Sequence, residues 1–257
     1  TYDVEYGTDG TALHIVYSGA TNGWIPTLDK AVADVPSKGN SEGIFGYGHT
    51  GSGSSLTNLV SNAGVVASDV TGVGTVRWYM AACEYGGDKG IFGFGSNPSV
   101  VSMTNLVSNA GVVATDVTGV GTARNELAAC SYGEDKGIFG FGDAGGYTAV
   151  TNLVSNAGVV ASDTTGVGTS RSSLAACEYG GDKGIFGFGN TGSYQSMSNL
   201  VSNAGVVATD TTGVGTARVQ LSACKYGGDK GIFGYGNTGS YVSMTNLVSN
   251  AGVVATD

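Results

Sequence analysis

Apolar residues along this chain come in short runs broken by glycine, asparagine and aspartate, and no window keeps the spacing of an amphipathic helix. The stretch 125–163 shows the pattern. A first apolar segment, Asn125 to Tyr132, centres on Leu-Ala-Ala-Cys. Gly133-Glu134-Asp135-Lys136-Gly137 follows as turn chemistry, because Gly and Asp accept positive φ. The second segment is Ile138 to Gly142, and a variable stretch, Asp143 to Thr148, leads to the third, Val150 to Val154. Asn156-Ala157-Gly158 makes a tight turn into the fourth, Val159 to Asp163. Segments this short between such turns predict hairpin-connected strands.

The same pattern recurs along the chain. Asn-Leu-Val-Ser-Asn-Ala-Gly-Val-Val-Ala begins at Asn58, Asn105, Asn152, Asn199 and Asn246, 47 residues apart each time. Gly-Ile-Phe-Gly begins at Gly43, Gly90, Gly137, Gly184 and Gly231, and the cysteines Cys83, Cys130, Cys177 and Cys224 keep the same interval. Five copies without insertions are structurally interchangeable units of an array. Four antiparallel strands in a unit of this length predict an all-β fold, a β-propeller of five four-stranded blades. A solenoid is the competing geometry, but it needs atypical capping repeats, and the fifth copy is as regular as the middle ones. The expected organisation is 1–22 as an N-terminal closing strand or degenerate partial blade, and 23–257 as one propeller domain of five 47-residue repeats. Lys30 stands where later copies have Arg, and Pro36 where they have Cys. Glu5-Tyr6-Gly7-Thr8-Asp9-Gly10 echoes Glu84–Lys89, and Leu13–Tyr17 reads as a strand. Six blades, with a degenerate N-terminal one, is therefore the alternative.

An Arg (Arg77, Arg124, Arg171, Arg218) precedes each small-residue strand, and a Gly-rich turn leads into Gly-Ile-Phe-Gly-Phe-Gly. In that order of features, residues 30–257 resemble the kelch repeat. A Gly-x-Gly replaces the double glycine, and the tryptophan usual on the fourth strand is missing. The resemblance implies a binding platform, with some oxidases in the family. Near-identical tandem copies are also similar to those of marine-phage structural proteins, which implies a virion component.

Composition narrows the function. Glycine supplies 46 of 257 residues without a three-residue period, which excludes collagen. The formal charge of −9 argues against a phosphate-backbone partner, and no run of about 20 apolar residues predicts membrane insertion. The first residue is Thr1 and nothing near it reads as a signal peptide, which leaves room for an upstream portion. One Cys per copy reads as a small buried hydrophobe rather than a metal or disulfide position. Arg with Asp69, Asp116, Asp163, Asp210 and Asp257 is expected to form one ion pair per blade, and the Asp-Lys pairs to be solvated turns. His14 and His49 lie outside the repeat pattern, and no nucleophile elbow, zinc pair or phosphate loop occurs. No cofactor, metal or enzymatic activity is expected.

The copies differ from one another mainly in two windows. One follows the Arg, at Trp78, Tyr79, Asn125, Glu126, Ser172, Ser173, Val219 and Gln220. The other lies between the second and third segments, with His49, Asn97, Tyr147, Tyr194, Gln195 and Tyr241. Alternating turns of an up-and-down blade place both windows at one end. Drift in exposed loops also produces variation, but it should touch both ends alike. The aromatic side chains suit a recognition surface and can stack on sugars. The expectation is a host-surface glycan or receptor on this face and other virion proteins on the invariant one, at a virion surface. A secreted lectin with one site per blade is the alternative.

Overall fold

A computed structural model describes residues 14–17, 24–28 and 41–257. The chain divides into two compact units, Thr1–Gly39 and Asn40–Asp257. In the first, β1 (His14–Tyr17) pairs antiparallel with β2 (Trp24–Leu28), so this hairpin straddles residue 22. Lys30, Pro36 and the Tyr6 echo lie outside the described residues.

The second unit is all strand and turn. The first repeat carries β3 (Gly43–His49) and β4 (Gly53–Val60). The second has β5 (Ala81–Tyr85), β6 (Lys89–Gly93), a small loop hairpin of β7 (Ser96–Asn97) and β8 (Ser99–Val100), and β9 (Thr104–Val107). The third has β10 (Ala128–Tyr132), β11 (Lys136–Gly140) and β12 (Thr151–Val154). The fourth has β13 (Ala175–Tyr179), β14 (Lys183–Asn190) and β15 (Tyr194–Val201). The fifth has β16 (Ser222–Tyr226), β17 (Lys230–Gly234) and β18 (Thr245–Val248). Each later repeat is an antiparallel meander in one register, with Cys130 opposite Ile138 and Phe139 opposite Asn152 in the third.

The expected fourth strand is not a strand. Its backbone touches the third at isolated bridges, Val154 with Val160 and Thr151 with Thr164. The carbonyl of Ala161 accepts instead from the Asn152 side-chain amide at 3.0 Å, which diverts the ladder. Each of the four later repeats is therefore a three-stranded sheet with a loosely bridged fourth segment. Strand ends also shift from the expected limits, the second strand starting two residues earlier, at Lys136. Glu126 at φ 52° delays the first strand to Ala128, and Phe141 at φ 62° stops the second at Gly140.

Packing between repeats follows one rule. The Phe of Gly-Ile-Phe-Gly lies on a glycine of the repeat before it: a Cβ on Gly93, Gly140 or Gly187 would stand 2.7 Å from Cζ of Phe139, Phe186 or Phe233. The same ring meets the second aromatic of the preceding copy, with centroids 5.1 Å apart for Phe94–Phe139 and 5.2 Å for Phe141–Phe186. The first strands lie side by side on the inside of a curve. Glu84 in the second repeat feels the charge of Lys225 in the fifth, which a straight stack would hold far apart. The array is thus propeller-like.

Among the described residues, no contact closes the expected ring. A ring of five blades would seat Phe45 on Gly234, yet Phe45 is 64% exposed and Gly234 faces only Thr245 of its own repeat, at 3.6 Å. Tyr235, whose counterparts Phe94, Phe141 and Phe188 are buried, is 66% exposed. Among the described residues, these two faces do not meet.

Candidate functional site

The two varied windows are joined backbone to backbone in every repeat after the first. Trp78 and Ser96 exchange N–H···O bonds of 3.2 and 2.9 Å, and Asn125 with Asp143, Ser172 with Asn190 and Val219 with Asn237 do the same. A second set of bonds runs across the repeats. The Glu126 amide donates to the Tyr79 carbonyl at 2.9 Å, Ser173 to Glu126 at 2.9 Å, and Gln220 to Ser173 at 3.0 Å. Tyr79, Glu126, Ser173 and Gln220 all sit at φ between 52° and 55°. This left-handed turn, which glycine would adopt at no steric cost, aims four unlike side chains from one continuous column. The windows therefore form a single band along one end of the array.

Within the band the side chains differ in availability. Tyr241 is 87% exposed, Tyr79 57%, and Tyr194 and Tyr147 about 40%. Tyr147, Tyr194 and Tyr241 hold the same place in successive repeats. His49 and Gln220 are exposed, and Asn97 is half-buried in β7. Asn125 donates to Ser96 Oγ at 2.8 Å, and Gln195 spends its amide on Thr191 Oγ1 at 2.8 Å. Glu126 Oε2 accepts from Ser172 at 2.9 Å and Ser173 at 2.6 Å, which ties the third repeat to the fourth. Ser172 and Val219 are buried, so they support the band from beneath. Trp78 is half-buried, edge-on to His49 at 5.1 Å, with its ring against Gly53.

At the opposite end, the invariant turns have a structural reason for staying alike. The amides of Gly86, Gly133 and Gly180 each donate at 2.7 Å to the carbonyl of Asp135, Asp182 and Asp229 in the next repeat. Asn156 and Asn203 bond the carboxylates of Asp135 and Asp182 at 3.0 Å. The Asp-Lys pairs lie in these turns, at 2.7 Å for Asp135–Lys136 and 3.1 Å for Asp182–Lys183.

The arginines are structural and fully buried. Arg77 pairs with Asp116 at 3.5 Å, Arg171 with Asp210 at 3.9 Å and Arg218 with Asp257 at 3.3 Å, while Arg124 and Asp163 make no direct pair and meet instead through Asn152. What the sequence did not disclose is the ring beneath: Arg124, Arg171 and Arg218 each lie 4.2 Å from the centroid of Phe94, Phe141 and Phe188 in the preceding repeat. Burial lowers Arg124 and Arg171 to about 10, with Asp163 and Asp210 opposing that fall. The one available signal was the fixed interval between each Arg and the aromatic of Gly-Phe-Gly. Cys130 and Cys177 are buried, and burial pushes the Cys177 thiol up to about 12, which leaves it a weak nucleophile.

Sequence reading also missed the inner column, the residue between Cys and Tyr on each first strand: Glu84, Ser131, Glu178 and Lys225. Lys225 Nζ reaches Glu178 Oε2 at 3.2 Å. Burial raises the pKa of Glu84, with Lys225 pulling it down and Glu178 pushing it up. A cavity of about 280 Å³ between β3 and β5 is lined by Ile44, Leu59, Cys83, Glu84 and Ile91. No protein-family model matches the chain, and no curated protein matches it.

Proposed function

We propose that this chain is a non-enzymatic display module of propeller type, its repeats acting as blades that present one varied rim for recognition of a host surface. The observation that carries this reading is the hydrogen-bonded column Tyr79–Glu126–Ser173–Gln220. Identical scaffolding beneath it holds unlike side chains at one backbone geometry, an arrangement that fixes position and leaves chemistry free. Surface glycans are the ligand class that the exposed tyrosines suit, since a ring face packs against sugar C–H groups while its hydroxyl stays wet. The resemblance to phage structural repeats makes a virion part the setting we favour: a tail fibre, a receptor-binding module or a capsid decoration. The interlocked turns at the other end then face neighbouring virion proteins. A second reading, a lectin with one site per repeat, draws on Tyr147, Tyr194 and Tyr241 recurring in register.

The test replaces Tyr79, Tyr194 and Tyr241 with Ala together. All three are exposed, so the melting temperature should move by no more than a few degrees. Binding to host cells or to a glycan array should fall at least about tenfold, the loss of roughly one good aromatic contact. Binding unchanged in the folded variant would refute the recognition reading. Trp78 is left in place because its ring packs on Gly53 and His49.

A further inference from the structure

The outward face of the fifth repeat reproduces, at nearly every position, a surface that is covered wherever another repeat follows. Tyr85, Tyr132 and Tyr179 are 3–5% exposed beneath the next copy, whereas Tyr226 is 38% exposed. Cys130 and Cys177 are buried, whereas Cys224 is exposed. Gly86, Gly133 and Gly180 lie about 3 Å, measured from an added Cβ, from an Asn carbonyl of the following repeat, while Gly227 has nothing within 4 Å. The seat for an incoming Phe has no occupant among the described residues, since a Cβ on Gly234 would meet only Thr245. Tyr235 replaces Phe on this face without altering its fit: Tyr47, at the same position in the first repeat, already carries Arg77 at 4.5 Å from its ring centroid.

We propose that this face is an acceptor for one more 47-residue repeat of the same kind, independently of what the varied rim binds. Its chemistry is specified by the four junctions already present. The partner must place a Phe ring on Gly234 and a guanidinium over Tyr235. It must also bring a turn carbonyl to the Gly227 amide, as Asp229 does for Gly180. A small ligand or an unrelated protein surface would satisfy only one of these three demands, which is why the occupant is a repeat.

Gly234 makes the idea testable, because its φ lies outside the left-handed region and the space above it is open. Ala at 234 is therefore harmless in the chain itself and blocks only an incoming ring. A sixth repeat with the sequence of residues 211–257 is fused after Asp257, and amide exchange is followed in β16, β17 and Tyr235. The six-repeat chain should exchange there at least about tenfold more slowly than the natural chain. Gly234→Ala should abolish the slowing, while leaving the melting temperature of the natural chain within about 2 °C. Three outcomes would overturn the proposal: equal exchange in the two chains, slowing that survives Gly234→Ala, or protection already present in the natural chain. Head-to-tail association of the natural chain that Gly234→Ala prevents would also overturn it, by making a second copy the occupant.

Discussion

The glycine of each second strand decides how closely two repeats approach. At Gly140 an added methyl would stand 2.7 Å from Phe186 Cζ, and the fully buried ring has no room to retreat. Gly140→Ala should therefore cost about 1–3 kcal/mol, the range for overpacking a closed core, read as a lower midpoint in urea. A midpoint equal to the natural chain's would mean that the stacking is looser than the packing implies. The buried arginine shows where reading a sequence stops at this scale. Its partner Asp was legible because both lie in one copy. The Phe below it belongs to the copy before, and no pattern within a single repeat reports what the neighbouring repeat places underneath. Ser172 and Val219 illustrate the same limit: both vary between copies, as exposed residues do, yet both are buried.

At the scale of the element, turn chemistry located the segments, while their ends were set by residues that turn propensity does not flag. Glu126 and Phe141 take left-handed φ because bonds to the neighbouring windows and repeats fix them there. The fourth segment was misread because a side-chain amide, Asn152 Nδ2, takes a carbonyl that a ladder would have used. The loop before each Arg is held instead by one carboxylate. Asp163 accepts from the Thr122 amide and hydroxyl, the latter at 2.6 Å, and from Asn152 at 2.9 Å. Partial burial works against this charge, but bonds from Thr122 and Asn152 and the nearby Arg124 outweigh it and hold the pKa below the usual value. Asp116, Asp210 and Asp257 are lowered in the same way. The sign follows from proton uptake: the unfolded chain binds protons first as pH falls, so this stability is present above an ordinary Asp pKa of about 3.9 and is lost below it. Urea midpoints should drop as pH falls from about 5 towards 2. Asp88, Asp182 and Asp229 are lowered as well, so Asp163→Asn should flatten that dependence by roughly the share of one carboxylate in seven, and an unchanged slope would show that the bond set contributes no net linkage.

For the whole molecule, the period and the fold class were plain in the sequence, and ring closure was not. Closure is a relation between the first and fifth repeats, and identical repeats suit an open arc as well as a closed disc. The arc traced by the described residues leads to a prediction on which the two geometries disagree. Excising residues 124–170, one full period, brings Ala123 against Arg171 in the same Thr-x-Arg context as before. Phe186 then meets Gly93 as Phe139 did, and Arg171 covers Phe94 as Arg124 did, so the new junction uses the same residue types as those it replaces. In an open array of neighbour-only contacts, this deletion subtracts one repeat and one interface. The shortened chain should fold cooperatively, with its urea m-value reduced by about a fifth in proportion to the surface lost. A closed ring would respond differently, since four blades cannot span a circle set by five and every interface would be strained at once. Collapse of the four-repeat chain, beside survival of the natural one, would therefore count against the open arc. A matched deletion of about 40 residues is the control: it puts turns opposite strands, flips the register on which every inter-repeat contact depends, and should abolish folding in either geometry.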